Sequence, residues 1–221
     1  MEPNIYQSLS ICPLFQGIDM AEIEVILQDV SFKLVRYDKK DIYTLAGMPC
    51  KYADIVIKGE LTTRMVSMSG KTVEVSRLNK GDIIAPAFIF AKDRTMPVSV
   101  ETECETFILR FQPSEFETLI DHDIRLRRNF IQILSNIDVF LTKKMRVLSL
   151  FTVREKVAYF LTDTAKKQGS RTILLDKSRQ EIAESFGIQK FSLLRCFSEL
   201  VEQGAIEVNG KQITIIDEKK F

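Results

Sequence analysis

The hydrophobic pattern divides the chain into a strand-rich part and a helix-rich part. From about residue 30 to residue 112, short segments such as "DIVIKGELTTRMV" and "KTVEVSRL" alternate apolar with polar positions or carry β-branched residues. Turn signals such as Ser69-Gly70 and Gly81-Asp82 separate these segments. Many short strands without a helical period between them predict an antiparallel barrel or roll. In front of them, "GIDMAEIEVILQDV" has helical spacing with Asp19 as its N-cap.

The period becomes helical at Pro113 and stays helical to about Ser149. Within this stretch, apolar residues recur at alternating steps of four and three, interrupted only at Lys144: Phe130, Leu134, Ile137, Leu141 and Leu148. So narrow a stripe is typical of a coiled-coil seam and predicts that two copies of the chain pair along this helix. The alternative is an ordinary helix that packs on the core of the strands.

The end of the chain predicts a winged helix-turn-helix. Ser178 starts a short helix in a capping-box pattern with Glu181, and Gly187 provides the turn after it. A second helix covers about residues 190–203, and Asn209-Gly210 then forms the turn of a two-stranded hairpin. Helix, glycine turn, helix and hairpin together indicate a DNA-binding unit.

The side chains at the front of the predicted second helix suit the edges of bases in the major groove. We expect these residues to read bases: Gln189, Lys190, Ser192 and Arg195. We expect a second group to contact phosphates: Ser178, Arg179 and, in the wing, Lys211. The expected partner is therefore double-stranded DNA, and the alternative is that these polar side chains are merely solvated.

Composition narrows the function classes. The chain has 221 residues, of which 45% are hydrophobic and 28% charged, as in a soluble globular protein. Its net charge of +1 means that any basic surface for DNA must be local. His122 is the only histidine and lies between two aspartates, so a histidine-based catalytic set is not expected and we predict no enzyme.

The sequence also bears on location and on metal chemistry. No apolar run approaches the roughly 18 residues that span a bilayer, and the N-terminus lacks the pattern of a signal peptide. These features predict a cytoplasmic protein without a membrane partner. The four cysteines, Cys12, Cys50, Cys104 and Cys196, are scattered, which predicts small buried side chains and excludes an iron–sulfur cluster.

Several segments in order resemble the Crp/Fnr family of bacterial transcription regulators: "PLFQGI", "IVIKGEL", "LNKGDII" and "SRQEIAESFG". The resemblance implies an α+β chain with an antiparallel, jelly-roll-like β-roll sensor over residues 1–112 and central dimerisation helices over residues 113–149. It also implies a winged helix-turn-helix over residues 150–221. The implied partners are a second copy of the chain, DNA with a two-fold symmetric operator, and RNA polymerase.

The sequence departs from the nucleotide-binding members of this family at both phosphate-binding positions. Those members carry Gly-Glu-Leu and then Arg-Ser, whereas this chain has Ala85-Pro86-Ala87 and Met96-Pro97. Proline removes an amide donor and methionine carries no charge, so we expect no cyclic nucleotide. The predicted effector pocket is instead apolar and comprises Ile84, Ala85, Pro86, Ala87, Phe88, Met96, Pro97 and Leu141.

A large, flat, apolar ligand would suit such a pocket. The Ala-Pro-Ala-Phe pattern resembles the branch that regulates hybrid-cluster-protein genes, which implies haem as a sensor of nitric oxide under nitrosative stress. Met68 and Met145 are the candidate iron ligands. The alternative is a constitutive DNA-binding regulator whose pocket has collapsed. An enzyme with a helical appendage would need a polar catalytic cluster that the sequence does not show.

Overall fold

The computed structural model describes residues 3–66 and 72–221. The chain forms two compact units, Met1–Ile137 and Asp138–Phe221, and each is described by itself. The boundary between them falls inside one long helix, within the segment predicted as central helices. None of the helices in the described ranges is long and apolar enough to cross a membrane.

The first unit is a β-roll that follows two short helices, α1 (Ile5–Leu9) and α2 (Met20–Gln28). Asp19 caps α2 in a capping box with Glu22, which confirms the predicted N-cap. The strands of the described part are β1 (Lys33–Tyr37), β2 (Ile42–Thr44), β3 (Ala53–Lys58), β4 (Leu61–Val66), β5 (Thr72–Leu78), β6 (Ile83–Ile84), β7 (Ser99–Thr102) and β8 (Thr106–Phe111).

These strands form two antiparallel four-stranded sheets, in the orders β1-β8-β3-β6 and β2-β7-β4-β5. The predicted antiparallel roll is confirmed. The strand β3 is buried on both of its faces: Ala53, Ile55 and Ile57 belong to an outer core shared with the helices, whereas Val56 belongs to an inner core. Asp54 alternates with the outer-core residues and so shares the inner side with Val56.

The apolar run "IIAPAFIFA" is divided between the two cores. Ile83 and Ile89 are buried in the outer core, and Ile84 is buried in the inner core. Between them the chain makes a single turn of 3₁₀ helix, Pro86–Phe88. Ala85, which precedes this turn, has a φ of +49°, a left-handed conformation that is uncommon for a residue other than glycine. The three isoleucines of this run therefore fill core.

The roll is followed by α3 (Pro113–His122) and α4 (Ile124–Leu150). Within the first unit, Phe130 is only 5% exposed and makes edge-on contacts with the rings of Phe116 and Phe90. The predicted seam is therefore wrong for Phe130, because this ring belongs to the core of its own chain. Leu134 packs against the same core but is only partly buried.

The second unit contains α5 (Val153–Gln168), β9 (Thr172–Leu174), α6 (Arg179–Ser185), α7 (Lys190–Glu202), β10 (Ile206–Asn209) and β11 (Gln212–Ile215). Gly187 has a φ of +62° in the turn between α6 and α7, as the sequence predicted. The hairpin β10–β11 closes at Asn209-Gly210 and pairs with β9 in a three-stranded sheet. The predicted winged helix-turn-helix is confirmed as a fold.

The cysteines follow their prediction with one exception. Cys12, Cys50 and Cys196 are buried, and burial raises the pKa of the Cys12 thiol to about 12. Cys104 is exposed, so the prediction of a buried side chain is wrong there. The reason is its position in the loop between β7 and β8, ahead of the first buried residue of β8, Thr106.

Candidate DNA interface and sensor cavity

The capping box at Ser178 fixes the start of α6. The Ser178 hydroxyl accepts a hydrogen bond from the Glu181 amide at 3.2 Å, and the Glu181 carboxylate accepts one from the Ser178 amide at 2.8 Å. Such a cap contributes about 1 kcal/mol to helix stability. The hydroxyl that was predicted to meet phosphate is thus already an acceptor in the cap, although the residue itself is exposed.

The front of α7 presents most of the predicted base-reading residues to solvent. Gln189 is the N-cap residue of α7 and makes no side-chain capping bond, and both Gln189 and Lys190 are exposed. Ser192 is half-buried. Arg195 donates from Nε to Glu199 at 2.9 Å in an exposed pair, which is worth at most about 1 kcal/mol and can be exchanged for another acceptor.

Phe191 is the residue at this surface that the sequence analysis did not select. Its side chain is 72% exposed on the first turn of α7. The signal was present in the helical phase: the buried positions of α7 are Leu193, Cys196, Phe197 and Leu200, and Phe191 does not share their face. An aromatic ring exposed to solvent on the first turn of this helix is available to contact a partner.

Arg179 is not the free phosphate contact that the sequence predicted. Its guanidinium lies over the ring of Phe197, 4.9 Å from the centroid, and Nη2 donates to the carbonyl of Gly210 at 2.9 Å. Burial lowers the pKa of this side chain. Arg179 therefore positions the turn of the wing on α7, and the adjacent Lys211 remains exposed at the tip of that wing.

A polar network lies on the inner side of the roll, between β3, β8 and the first two strands. Asp54 is fully buried and accepts from Arg110 Nη2 at 2.6 Å and from Nε at 3.0 Å. Tyr43 donates to Asp54 at 2.9 Å, and Arg110 donates to the hydroxyl of Tyr37 at 3.0 Å. Burial raises the pKa of Asp54, and the Arg110 guanidinium opposes that shift. Burial and the charge of Asp54 raise the pKa of Tyr43, which keeps its phenol protonated.

This network borders a cavity of about 310 Å³. The cavity is lined by three tyrosines, two methionines and the arginine of the network: Tyr37, Tyr43, Tyr52, Met48, Met96 and Arg110. The volume is at the lower end of the range for ligand sites, roughly 300–1,000 Å³.

The structure does not gather the predicted effector residues around this cavity. Of that set, Met96 borders the cavity, whereas Ile84 is buried in the inner core and Phe88 packs against it. Ala87 and Pro97 are exposed, and Ala85 and Pro86 are half-buried. Leu141 and Met145 lie on α4 in the second unit, where both are exposed. Met68 lies outside the described residues.

Comparison with known proteins identifies the family of each of the two units. Residues 34–123 match the family described as a cyclic nucleotide-binding domain, and residues 155–221 match the family described as a Crp-like helix-turn-helix domain. The chain belongs to the Crp/Fnr family. As a Crp/Fnr protein it is a DNA-binding transcription regulator with a sensor domain of the cyclic-nucleotide-binding type.

Two curated Crp/Fnr relatives cover most of the chain. The cAMP-activated global transcriptional regulator Vfr of Pseudomonas aeruginosa is 25% identical over 189 residues, which is 81% of this chain and 87% of Vfr. The regulator CRP of Escherichia coli, also described as cAMP-activated, is 24% identical over 186 residues, 81% of this chain and 88% of CRP. A structure of a CooA variant from Carboxydothermus hydrogenoformans has a TM-score of 0.64 at 20% identity, over 89% of this chain and 88% of that one, and so shares the fold.

Proposed function

We propose that this Crp/Fnr protein is a homodimeric, sequence-specific transcription regulator whose β-roll responds to an effector that is not a cyclic nucleotide. The proposal that the effector is not a cyclic nucleotide rests on the turn Ala85–Phe88. Pro86 occupies its first helical position, where a phosphate would need an amide donor. The second position that would hold a phosphate is taken by Met96, which is buried and uncharged.

The proposed sequence-specific binding of DNA is supported by the exposed front of α7 and by the wing. We propose that Gln189, Lys190, Ser192 and Arg195 read base edges and that Lys211 contacts phosphate. We add Phe191 to the readers, because a phenyl ring packs favourably against an apolar group, and the thymine methyl is the apolar group that the major groove offers. The partners are then a two-fold symmetric operator and RNA polymerase.

The proposed contact between Phe191 and thymine can be tested by removing one thymine methyl group at a time from the duplex. In a duplex selected by the protein from random sequences, each thymine is replaced in turn by uracil, which removes the methyl and keeps the pairing. We expect one thymine in each half-site at which this change weakens binding about fourfold, since a buried CH₂ is worth about 0.8 kcal/mol. The F191A variant should be insensitive to that change in fluorescence anisotropy.

The matched control is K211A, which should weaken binding to every sequence alike and reduce the salt slope by about one. K211A should keep the full sensitivity to uracil. Equal sensitivity of F191A and the unchanged protein would show that Phe191 does not read thymine.

Haem with nitric oxide is the specific effector that the sequence suggests, and it stays a prediction. The described side chains do not fit a haem at the predicted walls, because Ile84 is buried in the inner core and Ala87 and Pro97 are exposed. The burial of Ile84 favours the second candidate function, a constitutive regulator in which this part of the pocket is closed. Both candidates keep the DNA-binding unit unchanged.

Ligand titrations separate these candidates. Isothermal titration with cyclic AMP should give no saturable heat, and saturable binding of one cyclic AMP per chain would contradict the proposed sensor. If the predicted effector pocket is closed, hemin mixed with the protein should keep the absorption spectrum of free hemin. A stoichiometric shift of the Soret band that responds to nitric oxide would instead establish haem as the effector.

A further inference from the structure

The cavity on the inner side of the roll has an apolar rim. Ile42, Leu45 and Met48 all line it, and all three are exposed. Single exposed apolar side chains are ordinary, but a cluster around a concave opening is typical of a binding site. The predicted effector turn, Pro86–Phe88, does not contribute to this lining.

The floor of the cavity is an arginine held between aromatic rings. The guanidinium carbon of Arg110 lies 4.4 Å from the centroid of the Tyr52 ring and 5.8 Å from that of the Tyr43 ring. The hydrogen bonds that Arg110 makes within the described part of the chain come from Nε and Nη2. Among these residues its Nη1 group has no acceptor and keeps its donors for a ligand, in an orientation that the ion pair with Asp54 fixes.

The charge of the lining favours an anion. Among the residues that the structure describes, Arg110 and Lys51 are the charged ones that line the cavity, and none of the lining residues carries a carboxylate. Asp54 lies behind Arg110 and balances one of the two positive charges. Cys50 and Tyr43, which also line the cavity, stay protonated because burial raises the pKa of both groups. The cavity therefore keeps an excess of positive charge.

We propose that this cavity binds a small aromatic carboxylate, with its ring against Tyr52 and the methionines and its carboxylate on Arg110 Nη1 and Lys51. This inference rests on the proposed function, since it names the class of the non-nucleotide effector. Aromatic faces and polarizable thioethers suit a flat ring, and a guanidinium suits a carboxylate. A volume of about 310 Å³ has room for a ligand of one or two fused rings.

The test uses 2-naphthoate, whose fluorescence anisotropy reports binding to the full-length dimer. We expect saturable binding of one naphthoate per chain, and binding of the neutral 2-naphthamide that is at least about tenfold weaker. The variant M48E places a negative charge on the rim and should weaken naphthoate binding by about tenfold or more. Met48 is 50% exposed, so this change leaves the core intact.

The matched control is M20E, because Met20 is 49% exposed in the same unit and does not line the cavity. It should bind naphthoate as the unchanged protein does. The inference is overturned if naphthoate does not bind, if the amide binds equally well, or if M48E and M20E bind alike. If one of these results is found while the protein still binds DNA and does not bind cyclic AMP, only the proposal of an aromatic carboxylate is overturned. Saturable binding of cyclic AMP would instead overturn the proposed non-nucleotide sensor.

Discussion

Replacing Leu141 by glutamate should convert the protein from a dimer to a monomer and weaken its binding to a two-site duplex by about 10²- to 10⁴-fold. In the second unit, Leu141, Met145 and Leu148 follow one another at steps of four and three residues on α4 and are all exposed. If two copies pair along these residues, two glutamates meet across the seam in an apolar contact. A monomer then loses the second half-site and the gain from binding both at once.

The matched control for this change is V139E. Val139 is 49% exposed and Leu141 is 55% exposed on the same helix, but two residues correspond to about 200° of helical rotation. V139E should therefore remain dimeric in sedimentation velocity and keep its affinity for the duplex. Equal behaviour of the two variants would exclude the Leu141 face as the seam.

The second large effect is expected in the sensor. The change R110M removes the cationic partner of the fully buried Asp54 and leaves it the hydrogen bond from Tyr43, so the free energy of unfolding should fall by about 3–5 kcal/mol. Urea unfolding followed by tyrosine fluorescence suits this measurement, since the chain has no tryptophan and four of its five tyrosines, Tyr6, Tyr37, Tyr43 and Tyr52, lie in the first unit.

An exposed arginine of the same unit provides the comparison. Arg77 pairs with Glu74 and Glu60 at 2.9 Å, but its side chain is largely exposed, so R77M should cost no more than about 1 kcal/mol. If R110M costs as little as R77M, the Asp54 carboxylate is not buried as described and the polar floor of the cavity is wrong.

The parts of the structure that the sequence predicted depend on local chemistry. The capping boxes at Asp19 and Ser178, the left-handed turn at Gly187 and the hairpin at Asn209-Gly210 each involve residues that are close in sequence. Such patterns leave few alternative structures. The antiparallel roll was predictable for a similar reason, because alternation and turn signals recur along residues 30–112.

The parts that were not predicted depend on contacts between distant residues. Asp54 and Arg110 are 56 residues apart, and neither stands out in sequence, because each lies one residue from the end of an ordinary strand pattern. Arg179 was read as a phosphate contact, since nothing in the sequence places Phe197 and the wing turn against it. Phe130 fits both the helical stripe and the core, and only the rings of Phe116 and Phe90 decide between them.

The effector pocket shows the same limit. An apolar run such as Ile83–Ala91 is equally compatible with a core and with a ligand site, because its composition does not show which face meets a cavity. In the structure, the run supplies both cores of the roll, and the cavity lies beside tyrosines that carry no motif. Its lining comes from β1, β2, β8 and the segment between β2 and β3, together with Met96.

Sedimentation velocity of the full-length protein with a fluorescent duplex, at several salt concentrations, tests paired DNA binding most directly. We predict two chains on each duplex that carries a two-fold site. If 6–10 phosphates are contacted, we predict an affinity that falls about 10³- to 10⁵-fold between about 50 and 200 mM salt. A protein that stays monomeric, or that shows no salt-dependent binding to double-stranded DNA, would contradict the proposed regulator.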